Sequence, residues 1–184
     1  RLYLHHYACR AWPAAHHGSY HLYGHSHGSL PPLGRSRDVG IDCPITNFAP
    51  MTFAEIRETI DALKNRPGDD MAAIAIGLGK AVDALEKATN WLVENGKRAP
   101  AAAASGAAHY LKMFGIVTGG FLMAKGALAA QEGQADPSAD QRFLDAKLIT
   151  ARFFADQFLP QAASLLTPIT EGHRTVMALS EDQF

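Results

Sequence analysis

The hydrophobic positions of this chain change their period about a third of the way along. Arg1 to Tyr7 alternates bulky and aromatic residues, the two-residue period of a strand. Tyr20 to Tyr23 is a second strand candidate, ending at Gly24, and Asp38 to Ile41 is a third. The run Leu30-Pro31-Pro32-Leu33-Gly34 between the last two is rich in turn residues. Thr52 then precedes Glu55 at the spacing of a capping box, which predicts a short helix from Phe53 to about Lys64.

Beyond that helix, Asn65-Arg66-Pro67-Gly68-Asp69-Asp70 reads as a linker over 65–70, with Asp69 or Asp70 placed to cap the next helix. From there the period is helical. Met71, Ile74, Leu78, Ala81, Leu85, Ala88 and Leu92 step by three and four residues toward a stop at Asn95-Gly96. Ala107, Tyr110, Phe114, Val117, Phe121, Ala124 and Leu128 make a second stripe. Leu144, Leu148, Ala151, Ala155, Phe158, Ala162 and Leu165 make a third. Each large apolar side chain taken fully from water contributes about 1.5–3 kcal/mol, so the three stripes must find one another. Short connections make an antiparallel bundle the simplest closure. Pro160 lacks a backbone donor and predicts a kink or break in the third stripe. The fold class expected is therefore α+β: a short β/loop segment, 1–64, followed by an antiparallel α-helical bundle, 71–184.

Composition narrows the functional classes. The chain has 184 residues, 47% hydrophobic and 19% charged, enough apolar matter for a core. The formal net charge of −1 argues against nucleic acid as a partner. The uncharged run Met113 to Ala124, with Gly115 and Gly119 four apart, lies between Lys112 and Lys125. That is short of the roughly 20 residues a membrane span needs, so no membrane partner is expected. Cys9 and Cys43 are too few for a disulfide framework, which points to free thiols in a reducing, cytoplasmic setting. The first residue is arginine rather than methionine, as in a fragment, and no tripartite targeting signal opens it.

Seven of the nine histidines fall in the first 27 residues. The sharpest cluster is Gly24-His25-Ser26-His27-Gly28. Neutral imidazole is a good ligand for zinc, iron or manganese, and the flanking glycines let the backbone turn tightly. His6 ends the preceding strand candidate, where an adjacent strand would present it to the same place. The candidate metal ligands are thus His6, His25 and His27. His16, His17 and His21 read as loop residues; Asp38 and Asp42 have the chemistry of ligands, but strand-end and turn roles are commoner for aspartate there.

The runs Leu4-His5-His6-Tyr7-Ala8-Cys9-Arg10-Ala11-Trp12 and Gly18-Ser19-Tyr20-His21-Leu22-Tyr23-Gly24-His25-Ser26-His27-Gly28 resemble the C-terminal end of calcineurin-like metallophosphoesterases. Arg37 to Asp42 and Asn47 to Pro50 continue the likeness, which covers about 2–60. By that resemblance His6 matches the lone ligand histidine and His25 and His27 match the Gly-His-x-His pair. The implied reaction is phosphate-ester hydrolysis by a metal-activated hydroxide. The family's Asp-x-His, Gly-Asp and Gly-Asn-His motifs are absent ahead of His6, and Ala8 replaces a common proline. Three histidines cannot bridge and neutralise two ions, so the site is expected to be partial.

The runs Asp83 to Leu92, Phe114 to Ala124 and Phe143 to Pro160, with the closing Gly172 to Phe184, resemble the C-terminal helical domain of acyl-CoA dehydrogenases. These are of the subgroup with an acetyl-CoA dehydrogenase-like C-terminal domain. The likeness covers about 70–184. It implies FAD and acyl-CoA for a whole enzyme, but not for this chain, whose upstream portion is the histidine segment. No catalytic or cofactor-binding residue is carried over. Glu55, Glu58, Glu86 and Glu94 read as helix-surface charges, and His109 and His173 as structural or solvated. Three functions are compatible with these features. The first is a hybrid or truncated chain without a complete active site. The second is a bundle that associates with itself or with an acyl-CoA dehydrogenase subunit. The third is a phosphoesterase half-site, holding a divalent metal and completed by another chain.

Overall fold

A computed structural model of the chain describes residues 2–26, 29–31, 33–38, 52–176 and 178–183. The chain divides into two compact units, Arg1–Met51 and Thr52–Phe184.

The first unit holds a three-stranded sheet built from β1 (Leu2–Leu4), β2 (Tyr20–Tyr23) and β3 (Ser36–Asp38). The strands lie in sequence order and both pairings are parallel, with Leu4 opposite Leu22 and Tyr23 opposite Asp38. Parallel neighbours need long connections, here one through a 3₁₀ turn at Ala15–His17 and one through the proline-rich run. The first strand is shorter than the alternation predicts, although His5 still donates its backbone N–H to Leu22 at 3.1 Å. The third begins earlier than predicted, because the Arg35 carbonyl already accepts from the His21 N–H at 3.0 Å. The rest of that predicted strand, 39–41, lies outside the described residues.

The second unit is helical throughout. Its elements are α1 (Phe53–Lys64), α2 (Asp69–Asn95), α3 (Pro100–Ser105), α4 (Ala107–Gly133), α5 (Gln141–Gln157), α6 (Leu159–Ser164), α7 (Leu166–Thr170) and α8 (His173–Val176). The capping box forms as its residues require. Thr52 Oγ1 accepts from the Glu55 N–H at 3.2 Å, and Glu55 Oε2 accepts from the Thr52 N–H at 2.7 Å. The Thr52 N–H and the Thr52 hydroxyl, which donates to the same Oε2 at 2.9 Å, hold the Glu55 carboxyl below its ordinary pKa.

α1 does not fold with the strands. Its buried Ile56, Ile60 and Leu63 pack with α2, and the units separate ahead of it rather than across 65–70. The segment read as a linker is the corner of a helix pair. Gly68 caps α2 at φ 110°, a backbone conformation open to glycine and strained for other residues. Asp69 and Asp70 therefore sit inside the first turn, not at the cap. There they face the positive end of the helix dipole.

The first apolar stripe is buried from Met71 to Ala88. On α4 the stripe is rotated at its start: Met113 is fully buried and Phe114 is 42% exposed. α4 is apolar on nearly every face, so sequence spacing alone cannot choose which face turns inward. The third stripe breaks where Pro160 requires. α5 stops at Gln157, α6 starts at Leu159, and the buried position passes from Phe158 to Leu159. Paired positions run in opposite order along neighbouring helices. Tyr110 of α4 meets Thr89 of α2 at 2.9 Å, and Gln131 of α4 reaches the Pro67 carbonyl just before α2 at 3.0 Å. Gly119 lies against Phe154, and Gly133 against Leu144. α4 is 27 residues long and apolar enough to cross a membrane by length and composition, and 44% of its most apolar window is buried inside the fold. The charge-free run within it is shorter than the helix that carries it.

Candidate functional site

In the strand unit the backbone turn after β2 brings two of the three histidine ligand candidates together. The His6 carbonyl accepts from the N–H groups of Gly24 and His25, at 3.3 and 3.0 Å. This folds the end of β1 against the start of the Gly24 turn. His6 Nε2 and His25 Nδ1 then lie 3.0 Å apart, with ring centroids at 4.8 Å and planes at 66°. One ring donates and the other accepts, according to tautomer. The Tyr7 ring covers His25 at 4.3 Å. His27 lies outside the described residues, as do Asp42 and Cys43.

Two exposed imidazoles make half of a four-coordinate shell. Among the described residues, no three histidine, cysteine, aspartate or glutamate side chains gather closely enough to hold a metal ion. Asp38 is buried at the end of β3, where it accepts from Ser26 Oγ at 2.6 Å. Its carboxylate is thus engaged with the serine between His25 and His27.

His21 corrects the loop reading. It stands on the central strand and is fully buried. Its ring packs on Trp12 at 5.3 Å, and on Tyr3 and Tyr23. Its Nδ1 contacts Ser36 Oγ at 2.8 Å, while Nε2 has no hydrogen-bond partner among the described residues. Burial is the main cause that lowers its pKa, helped by the positive charge of His5 and opposed by a backbone hydrogen bond at Tyr7. The period of two that makes 20–23 a strand also turns residues 21 and 23 to one face, a signal carried by the sequence itself. Cys9 Sγ lies 3.6 Å from His5 Nδ1, a partner four residues away that spacing alone does not single out.

The helical unit carries clefts rather than a polar centre. Between α4 and α5 lies an apolar one of about 360 Å³, bounded by Leu122, Gly126, Phe143 and Lys147. A second, of about 470 Å³, lies between α2 and the α5–α6 junction, beside Gly77 and Leu159. The glutamates occupy surface positions. Glu55 caps α1, and Glu86 shares Arg57 with Asp83 at 2.6 and 3.1 Å. His173 Nδ1 is buried without a hydrogen-bond partner among the described residues, and its ring lies 5.7 Å from that of Trp91.

The second unit is thus an all-helical domain whose core is aliphatic and whose outer faces hold apolar grooves. Its family is that of the acetyl-CoA dehydrogenase C-terminal-like domains. The family model of that description matches residues 52–180, and the chain belongs to it. The match starts at the Thr52 cap and includes α1. No curated protein matches the chain.

Proposed function

We propose that this chain acts as an association domain of the acyl-CoA dehydrogenase type, an antiparallel helical bundle that joins a second copy of itself. A dehydrogenase subunit of the same family is the alternative partner. The carrying observation is the apolar outer surface of α4 and α5. Leu111, Leu122, Ile149 and Phe153 are 72%, 57%, 68% and 56% exposed. Isolated exposed apolar residues are ordinary on a soluble domain, whereas several on adjoining helices mark an interaction surface. On this reading the chain is a hybrid or truncated product, located in the cytoplasm. It performs neither flavin chemistry nor phosphate-ester hydrolysis by itself. FAD belongs to the whole dehydrogenase, and a yellow chromophore co-purifying with this chain would contradict the assignment.

Sedimentation velocity over a concentration series tests it. The expected result is a dimer that Leu111→Glu with Ile149→Glu converts to monomer, since a charge buried in an interface is strongly unfavourable. A wild-type chain that stays monomeric at high concentration, and captures no dehydrogenase subunit, refutes it.

One observation favours a second reading, a divalent-metal phosphoesterase half-site completed by another chain: the 3.0 Å approach of His6 and His25. Calorimetric titration with Mn²⁺ or Zn²⁺ discriminates. Stoichiometric binding abolished by His6→Ala supports the half-site, and no heat above the dilution control removes it.

A further inference from the structure

We propose that the α4–α5 cleft binds the alkyl chain of a single-chain anionic amphiphile, a fatty carboxylate, with its head group at Lys147. Leu122 belongs both to this cleft and to the apolar surface of the association reading, so ligand affinity and oligomeric state are read separately.

The cleft walls supply the argument. One side is α4, contributing Leu122, Met123 and Gly126; the other is α5, contributing Phe143, Lys147 and Thr150. The volume of about 360 Å³ falls at the lower end of the range for small-molecule pockets. A bounded concavity of this size suits a narrow alkyl chain better than a helix. Gly126 makes the floor: a Cβ built there meets nothing within 4 Å, so the open space begins at the backbone. Met123 is the adaptable side chain that irregular apolar ligands favour. Leu122 and Phe143 remain 57% and 56% exposed at its walls, apolar area that a ligand would cover.

Charge sets the head group. The described lining contains one cation, Lys147, and no carboxylate. Lys147 Nζ sits 5.0 Å from the Phe143 ring centroid and makes no ion pair among the described residues. The other basic group of α5 near its middle, Arg152, is engaged by Asp70 and Asp156 at 2.9 and 2.8 Å. The Lys147 ammonium, the one cation of the described lining, complements a carboxylate at the end of a hydrocarbon. A neutral lipid would leave that charge unmatched.

Dodecanoate and dodecanol are the probes, titrated into the full chain. The readout is the methyl NMR signal of Met123, with buried Met71 and Met113 as internal controls. Dodecanoate should shift Met123 saturably and leave the controls in place. Gly126→Leu fills the slot, and because leucine is the better helix former the variant keeps its fold. It should weaken both probes by at least about tenfold, as loss of a buried apolar contact surface requires. Lys147→Gln should weaken dodecanoate by roughly threefold to tenfold, the scale of an exposed charge-assisted contact, and leave dodecanol unchanged. The proposal is overturned if dodecanoate fails to shift Met123. It is equally overturned if Gly126→Leu binds as tightly as wild type, or lowers the oligomeric state while ligand affinity stays constant. That last result would make the occupant a second copy.

Discussion

The two units of this chain hide opposite kinds of atoms. Among the described residues of the strand unit the buried ones are Tyr23, Ser19, His21, Ser36 and Asp38, four of them polar. In the helical unit they are aliphatic and alanine side chains in long succession, from Ile56 through Leu78 and Met113 to Ile169. A buried polar group is satisfied only by a well-placed partner, and its net contribution is small. A buried methyl group needs no partner and contributes by area. The difference teaches that the first unit owes its shape to a few directional contacts, while the second would survive the loss of any one of them.

Amide exchange gives the largest expected contrast. Protection in β1–β3 should be far below that in α2 and α4, because local opening of a sheet with few apolar contacts is easy. α1 should exchange with the helices, not with the strands. If α1 exchanges at the rate of β2, the boundary ahead of Thr52 is wrong. Next comes Leu78→Ala, which should lower the stability of the helical unit by about 2–5 kcal/mol. Leu78 is fully buried, and its side chain lies beside Gly120. The chain holds two tryptophans, Trp12 in one unit and Trp91 in the other, so the unfolding of each is followed with the other replaced by phenylalanine. A Leu78→Ala change that moves the Trp12 transition would join the units into one.

Acid should act first on the strand unit; the helical unit loses the contribution of its capped Glu55 carboxylate only at the lower pH where carboxylates protonate. The His21 pKa is lowered by folding, so the unfolded chain binds the proton more readily. Stability is then fully present above about pH 6.5, the unfolded value. It declines as pH falls from there through the lower folded value. His21→Gln should flatten this part of the Trp12 stability profile, and an unchanged profile would remove His21 as its cause. Smallest is Thr52→Ala, which strips the cap from α1 and should cost about 0.5–2 kcal/mol, read from the Trp91 transition. A wild-type midpoint in that variant would show α1 to be held by packing alone.

Much of the helical unit is legible in the sequence because its signals are local and redundant. Thr52 and Glu55, the Asn95-Gly96 stop and Pro160 each act within one turn of chain, and the structure honours all three. The inward face of α4 is not legible, because a helix apolar all round leaves the choice to its neighbours. Nor is the place of α1. Its capping box is visible, but a change in composition at 65–70 looks like a boundary where the chain only turns a corner. Of the candidate ligands, the proximity of His6 and His25 is legible, while His27 lies outside the described residues. Spacing along a strand end brings His6 toward His25, whereas a three-ligand centre depends on long-range placement that spacing does not encode.

Alanine supplies much of the interior of the second unit: Ala81, Ala88, Ala124, Ala127 and Ala162 are each 1% exposed or less. Alanine surrenders no rotamer freedom when buried and is the strongest intrinsic helix former. Once the tertiary contacts are gone, these same segments retain fluctuating helix in the denatured ensemble. Ellipticity will therefore fall less than the true extent of melting, and a thermal scan of the backbone signal will show a shallow, sloping upper baseline.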